Sequence, residues 1–178
     1  MVRYRNIISR LGNKENDIKY FHHLLPRDPL VVVEPFGGSF AVIKHFYKDP
    51  EEYKFHINDT DERLVYAYLH PEELNDNLNK LNKLYIDEYA DKAYSKNEPF
   101  LTYVNGLDIN DLLKAYIIQT RFIRGHMFKA TKNNNTNPVE LNVLKNALIT
   151  KLDYSDIFEQ YKNDEDAFLF LDPPYLFF

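Results

Sequence analysis

The order of segments along the chain predicts an α/β fold, a parallel sheet with helices packed on its faces. Three breaks carry this reading. An apolar run, Leu30-Val31-Val32-Val33, stops at Glu34-Pro35-Phe36-Gly37-Gly38-Ser39. A second strand candidate, Tyr53 to Ile57, stops at Asn58-Asp59-Thr60-Asp61, and a third, Ala167 to Leu171, runs into Asp172-Pro173-Pro174-Tyr175. A continuous apolar strand such as the first is covered on both faces, and helical periodicity fills the intervals. Ligands of such sheets gather at the carboxyl ends of the strands, where all three breaks fall.

Taken in order, Asn13 to Leu25 predicts a helix, because Ile18, Phe21, Leu24 and Leu25 recur at helical spacing and Pro26 ends the segment. Phe40 to Tyr47 predicts a second helix, with Ser39 as its N-cap. A third follows the acidic turn from about Glu62 to Leu69. From Pro71 to about Phe128 the pattern is helical and amphipathic, with Leu74, Leu78, Leu81 and Leu84 in one segment and Leu112, Leu113, Tyr116, Ile117 and Thr120 in another. Lys129 to Pro138 has the asparagine-rich composition of an exposed loop. Leu141 to Leu152 reads as helix, and Ser155 is placed to cap a further helix through Tyr161. The domain reading is therefore an α/β part, residues 1–70 and 150–178, interrupted by a mostly helical insertion at 71–149.

Composition narrows the function. The chain has 178 residues, of which 44% are hydrophobic and 15% aromatic, enough apolar material for one packed core. Cysteine is absent, which removes disulfides, thiolate metal sites and cysteine nucleophiles together. No apolar run reaches the roughly 20 residues of a membrane helix, and the N-terminus lacks a signal-peptide core. The expectation is a cytoplasmic protein of a bacterium or of a phage- or virus-infected cell. A formal net charge of −5 argues against whole-surface attraction to nucleic acid and leaves room for a local basic face.

The three breaks carry the chemistry. Gly37 and Gly38 permit close backbone approach to a ligand, and the next helix would offer unpaired N–H groups; an ordinary strand-to-helix turn would look the same. Asp59 is placed either to accept hydrogen bonds from two ribose hydroxyls or to cap the following helix. Asp172-Pro173-Pro174-Tyr175 is more specific. Two prolines make a rigid corner without N–H donors, so its carbonyls and the Asp172 carboxylate present acceptors. The exocyclic amine of a base offers two N–H donors, and Tyr175 offers a face on which an extruded base can stack. A structural Pro-Pro turn with a packed tyrosine is the alternative.

The ordered set of motifs resembles the Dam-like DNA N6-adenine methyltransferases. It comprises Arg10-Leu11-Gly12-Asn13-Lys14, Glu34-Pro35-Phe36-Gly37-Gly38-Ser39-Phe40, Ile57-Asn58-Asp59-Thr60-Asp61, Gln119-Thr120-Arg121-Phe122-Ile123-Arg124-Gly125 and Asp172-Pro173-Pro174-Tyr175. The resemblance spans nearly the whole chain and implies a Rossmann-like methyltransferase sheet with a small helical target-recognition insertion. It implies S-adenosyl-L-methionine as cofactor, bound by Arg10, Lys14, Glu34, Phe36, Gly38, Asp59 and Asp172. It also implies Asp172, Pro173, Pro174 and Tyr175 as the catalytic corner. Lys14 taken alone reads as a solvated helix lysine. Arg10 stands where the family often has an aromatic residue, and Phe40 replaces the second glycine of F-x-G-x-G. Phe178 lies three residues after Tyr175, where relatives continue. The sheet is thus expected to be incomplete on its C-terminal side, and to be completed by a further segment or a second chain unless catalysis has been lost.

The expected reaction moves a methyl group from a sulfonium to adenine N6 in double-stranded DNA, chemistry that calls for no metal. Asp172 and the Pro173 carbonyl would accept from the amine, and alignment with the donor would do the rest. Arg121, Arg124, Lys129 and Lys132 are expected at phosphates, which position an enzyme without reading sequence. Asn133 to Asn137 could reach base edges or be a solvated loop. The alternatives are a methyltransferase acting on cytosine N4 or RNA, and an inactive, methyltransferase-derived binding or structural protein.

Overall fold

The computed structural model describes residues 6–8, 14–27, 30–47, 53–89, 98–122 and 136–173; for residues 84–89, 98–100 and 121–122 only the backbone is described. Four strands form one open sheet, β1 (Val31–Glu34), β2 (Lys54–Asn58), β3 (Leu148–Thr150) and β4 (Ala167–Leu169). All are parallel, in the order β3-β2-β1-β4. The chain steps outward from β1 to β2 to β3 and then returns across β1 to β4. That reversal puts a topological switch point between β1 and β4, the crevice in which open α/β sheets bind ligands.

The rule that parallel crossovers are right-handed sorts the helices. The step from β1 to β2 passes through α2 (Ala41–Phe46). The step from β2 to β3 passes through α3 (Glu62–Leu69), α4 (Pro71–Tyr89), α5 (Glu98–Asn105), α6 (Asp111–Phe122) and α7 (Pro138–Asn146). Helix α8 (Tyr154–Tyr161) joins β3 to β4 in the opposite direction and so lies on the other face. Strand side chains follow the division. Phe55 lies beside Tyr47, and Phe168 beside Phe46 of α2, whereas His56 faces Tyr161 of α8.

Most of the core lies on the α2 face. Val32, Phe55 and Ile57 of the strands pack with Val42, Ile43 and Phe46 of α2, Leu64, Ala67 and Tyr68 of α3, and Val143 and Leu144 of α7. Leu74, Leu78 and Leu81 bury one stripe of α4, as their spacing predicts, and Leu113, Tyr116 and Ile117 bury one stripe of α6, which packs on α3. Among the described residues no helix is long and apolar enough to cross a membrane.

Four local expectations are corrected. The segment 13–25 is not one helix but a 3-10 turn at Lys14–Asn16, the short helix α1 (Ile18–Phe21) and a second 3-10 turn at His22–Leu24. Leu141 to Leu152 is not continuous helix, since α7 ends at Asn146 and Leu148–Thr150 is strand β3. That run is too short and too little alternating for periodicity to separate from helix, and only pairing with β2 decides it. The cap of α8 is Asp153, whose carboxylate accepts from Ser155 N, rather than Ser155. Ser39 does not cap α2; Phe40 occupies that position without a side-chain cap. The predicted loop at 129–138 lies outside the described residues up to 135; Asn137 caps α7 and Pro138 opens it.

The carboxyl edge of the sheet is tied by a polar chain on the α8 face. Asn58, fully buried, accepts through Oδ1 from Leu152 N (2.8 Å) and Thr150 Oγ1 (2.8 Å). Through Nδ2 it donates to the carbonyls of Pro35 and Leu152, both at 3.0 Å. A main-chain N–H can only donate, so Leu152 sets which end of the amide is oxygen. Because the Thr150 hydroxyl proton goes to Asn58, Thr150 Oγ1 accepts from His56 Nε2 (2.7 Å), and His56 Nδ1 accepts from the Tyr161 hydroxyl (2.9 Å). His56 is therefore the neutral Nε2–H tautomer, in keeping with burial pushing its pKa down.

Asn58 thus links the turns after β1, β2 and β3. Replacing it by aspartate (Asn58→Asp) keeps both acceptors but sets a carboxylate against two carbonyls. The expected cost is about 2 kcal/mol or more near neutral pH, with a smaller gap to wild type on acidification, when the protonated carboxyl regains a donor. Urea midpoints measured at about pH 7 and about pH 5 check both the loss and its narrowing.

Candidate functional site

The site is assembled by register. Val33 of β1 pairs with Leu169 of β4, and Phe170 N donates to Val33 O at 2.9 Å. Phe36 follows Val33 by three residues and Asp172 follows Leu169 by three, so the two turns leave the sheet side by side at the switch point. On the other side of β1, Glu34 pairs with Ile57, which brings Asn58 and Asp59 to the same edge.

The turn after β1 is held from below. Gly37 N donates to Asn58 O at 2.6 Å. A Cβ on Gly37 would lie 2.6 Å from Ile57 Cγ2, 3.0 Å from Asn58 O and 3.1 Å from the Tyr68 hydroxyl, so no larger residue fits. Gly38 has a φ of 53°, in the left-handed region that favours glycine, and a Cβ there would meet Phe36 O at an ordinary contact distance of 3.8 Å. The Tyr68 hydroxyl donates to Gly38 O at 2.6 Å, and Gly38 N donates to Asp59 Oδ2 at 3.1 Å.

These contacts separate the roles of the acidic residues. Asp61 caps α3, accepting from Arg63 N at 3.1 Å and pairing with the Arg63 side chain. Asp59 instead spans two turns, with Oδ1 accepting from Asp61 N at 2.9 Å and Oδ2 from Gly38 N. Each of its half-buried oxygens keeps a second lone pair for a ligand donor.

Phe40 departs from an otherwise small-residue turn, and the structure shows how. Its φ of 40° and ψ of 46° are left-handed, a conformation that costs a non-glycine residue roughly 1–2 kcal/mol. The ring is fully buried, edge-on to Tyr68 at 5.7 Å, and aromatic burial worth roughly 1.5–3 kcal/mol offsets that strain. With no cap at Phe40, the first amides of α2 take another acceptor. The buried Glu34 carboxyl accepts from Ile43 N at 2.8 Å and from the Val42 amide. Glu34 thus contacts the N-terminus of α2 and lies close to Asp172. Burial pushes its pKa up to about 8, against the lowering effect of those amides and of Lys44, while the nearby Asp172 carboxylate raises it.

Asp172 itself is half-buried and pairs with Lys14 Nζ at 3.3 Å, so the first and last motifs of the chain meet in space. Pro173 follows it, exposed. Arg10, Pro174, Tyr175, Arg124, Lys129 and Lys132 lie outside the described residues, and Arg121 is described only as backbone in the last turn of α6.

Several residues at the site had no signal as single letters. Tyr154, at the start of α8 and 47% exposed, lies 5.5 Å from Phe36 and forms an aromatic wall beside the glycine turn. Tyr68 and Asn58 hold the turn itself. Glu140 of α7 is fully buried and accepts from Ile7 N at 2.6 Å; burial pushes its pKa up to about 7 although Lys44 lowers it. The one hint was a polar residue inside an apolar period, as at Glu140 between Val139 and Leu141.

Comparison with known proteins agrees with this geometry. Residues 11–177 match the family described as D12 class N6 adenine-specific DNA methyltransferase. The chain is also similar to a protein named Type II methyltransferase M.CviBI from Paramecium bursaria Chlorella virus NC1A. The two are 25% identical over 191 aligned positions, which cover 95% of this chain and 68% of that protein.

Two substitutions test the architecture of the site. Gly37→Ala should cost about 1–3 kcal/mol, read as a lowered urea midpoint, because the neighbours of the added methyl are backbone and packed side chains. For Glu34 and Glu140, the folded protein holds protons between about pH 4.5 and about pH 7–8 that the unfolded chain has released. Stability from these groups is therefore full below that window and falls as pH rises through it, by at most about 1.4 kcal/mol per pH unit for each group. Glu34→Gln keeps an acceptor for Ile43 N and removes one titration. Its stability relative to wild type should climb between about pH 5 and about pH 8, and parallel curves would contradict the assignment.

Proposed function

Because the chain belongs to the D12 class N6 adenine-specific DNA methyltransferases, which methylate the exocyclic nitrogen of adenine in DNA, we propose that S-adenosyl-L-methionine is the donor and that it sits at the switch point between β1 and β4. The observation that carries the reading is the meeting of Asp172 and Lys14 beside the Phe36–Gly38 turn.

The residues present fit such a donor. Gly38, with no side chain and no contact closer than 3.8 Å to a Cβ position, lets the amino-acid end of the ligand approach the backbone. The Asp59 carboxylate, anchored by Gly38 N and Asp61 N, accepts from the two ribose hydroxyls with its remaining lone pairs. Phe36 and Tyr154 supply a flat apolar wall for the adenine ring of the donor. When bound, the donor contributes an activated methyl group on sulfonium.

The chain's own residues prepare the acceptor. The N6 lone pair of adenine is delocalised into the ring, so the nitrogen is a poor nucleophile until its hydrogens are engaged. Asp172 accepts one N–H, the Pro173 carbonyl accepts the other, and the nitrogen turns its lone pair toward the methyl group. Lys14 holds the Asp172 carboxylate in place. Pro174 and Tyr175 complete the corner, Tyr175 by stacking on a base flipped from double-stranded DNA. Arg10, outside the described residues, is assigned to donor binding by its place in the first motif alone. Target recognition belongs to the helical stretch 71–149 outside β3, with Arg121, Arg124, Lys129 and Lys132 on phosphates.

The test is direct. Calorimetry should detect S-adenosyl-L-methionine binding, and nuclease digests of treated DNA should contain N6-methyladenine. In Asp172→Asn, donor binding should persist while methyl transfer falls by about two orders of magnitude or more. Transfer at the wild-type rate in that variant would remove Asp172 from the reaction. Methyl on cytosine N4 would reassign the substrate. Absence of donor binding by the wild-type protein would leave the inactive reading.

A further inference from the structure

We propose that Lys44, which lies outside both the E-P-F-G-G turn and the Asp-Pro-Pro corner, is a positioning residue for methyl transfer. Its ammonium holds Glu15, and through the 3-10 turn it holds Lys14 against Asp172. The proposal rests on the role given above to Asp172.

Lys44 is on α2, and its side chain is 6% exposed. Its helix neighbours Val42, Ile43 and Phe46 are buried and apolar, so packing alone would favour an apolar residue here. A buried ammonium costs several kcal/mol of desolvation unless it is paired. Glu15 Oε1 and, at 3.6 Å, Glu140 Oε1 lie within ion-pair distance of it, neither in hydrogen-bonding geometry, and it lies 5.0 Å from the centre of the Phe40 ring. A buried ion pair contributes little net stability relative to well-packed apolar groups, and its best-attested use is to select one arrangement of segments.

The segments that meet at Lys44 are distant in sequence. Glu15 accepts from Asn6 Nδ2 at 2.9 Å, Asn6 Oδ1 accepts from Asn137 Nδ2 at 3.0 Å, and Glu140 Oε2 accepts from Ile7 N at 2.6 Å. Residues 6–8, the Lys14–Asn16 turn and the start of α7 therefore converge on one ammonium. The turn has only three residues, so an anchored Glu15 leaves Lys14 little room to move along the sheet edge. Lys14 Nζ then reaches Asp172 at 3.3 Å. Phe40 completes the arrangement, since its left-handed backbone and buried ring set the start of the helix that carries Lys44.

The experiment is a double-mutant cycle on the whole protein, with methyl transfer to DNA and amide hydrogen exchange at residues 14–16 as separate readouts. Lys44→Met keeps the apolar stem and removes the charge. It should lower kcat by about tenfold and speed exchange at residues 14–16, and Lys44→Arg should recover most of both. In a Lys14→Met background the same change should cost less than about twofold, because its effect passes through Lys14. Glu15→Gln leaves the Lys44–Glu140 pair and should reproduce the loss, which covers the case in which Lys44→Met does not fold. Unchanged exchange and rate in Lys44→Met, or equal losses with and without Lys14, would overturn the proposal. If the wild-type protein neither binds donor nor methylates DNA, the functional reading falls, and hydrogen exchange still decides whether Lys44 orders the turn.

Discussion

Strand β1 pairs in parallel with β2 on one side and β4 on the other, and every feature of the site follows from that double pairing. Parallel register gives adjacent strands the same heading, so the turns that end them open on one edge. The Phe36–Gly38 turn is thereby flanked by Asp59 and by Asp172, residues more than a hundred positions apart. Were β4 antiparallel or on the far side of β3, the same motifs would be present and could not act on one ligand. The interior strand also ties the edge together, since Asn58 reaches under three turns at once through four hydrogen bonds.

A second layer of constraint is electrostatic. Glu34, Glu140 and Lys44 are buried charged or chargeable groups in one neighbourhood, each facing a different segment. Such groups are costly, and in each case the cost is met by main-chain donors or by a partner of opposite sign. Glu34 takes over the capping that Phe40 does not provide, and Glu140 receives the amide of Ile7. Phe40 itself shows a compensation at close range. A left-handed residue that sterics would assign to glycine is held there by a ring packed on Tyr68. The Tyr68 hydroxyl in turn fixes the carbonyl of Gly38.

The two faces of the sheet differ in what they do. The α2 face holds most of the apolar core and the charged cluster that anchors the N-terminal segments. The α8 face carries the neutral His56 relay from Tyr161 to Asn58, and at its upper rim Tyr154 stands against Phe36.

The sequence by itself determined the fold class and the three breaks at strand ends. Those properties are local. A β-branched run, two glycines after it, a donor-free double proline and the 62–69 helix each act within a few residues of themselves. Tertiary structure alone decided the rest, because the deciding partner was far away in the chain. Leu148–Thr150 is a strand only because β2 offers it an edge. Asp59 bridges the turns after β1 and β2 because Asp61 takes the cap and Gly38 N supplies a donor. Lys14 is more than a solvated lysine because β4 delivers Asp172 to it. Glu34 accepts from the bare amides of α2 because Phe40 leaves them uncapped. In each case a single letter had two chemically sensible uses, and the geometry of the partner selected one.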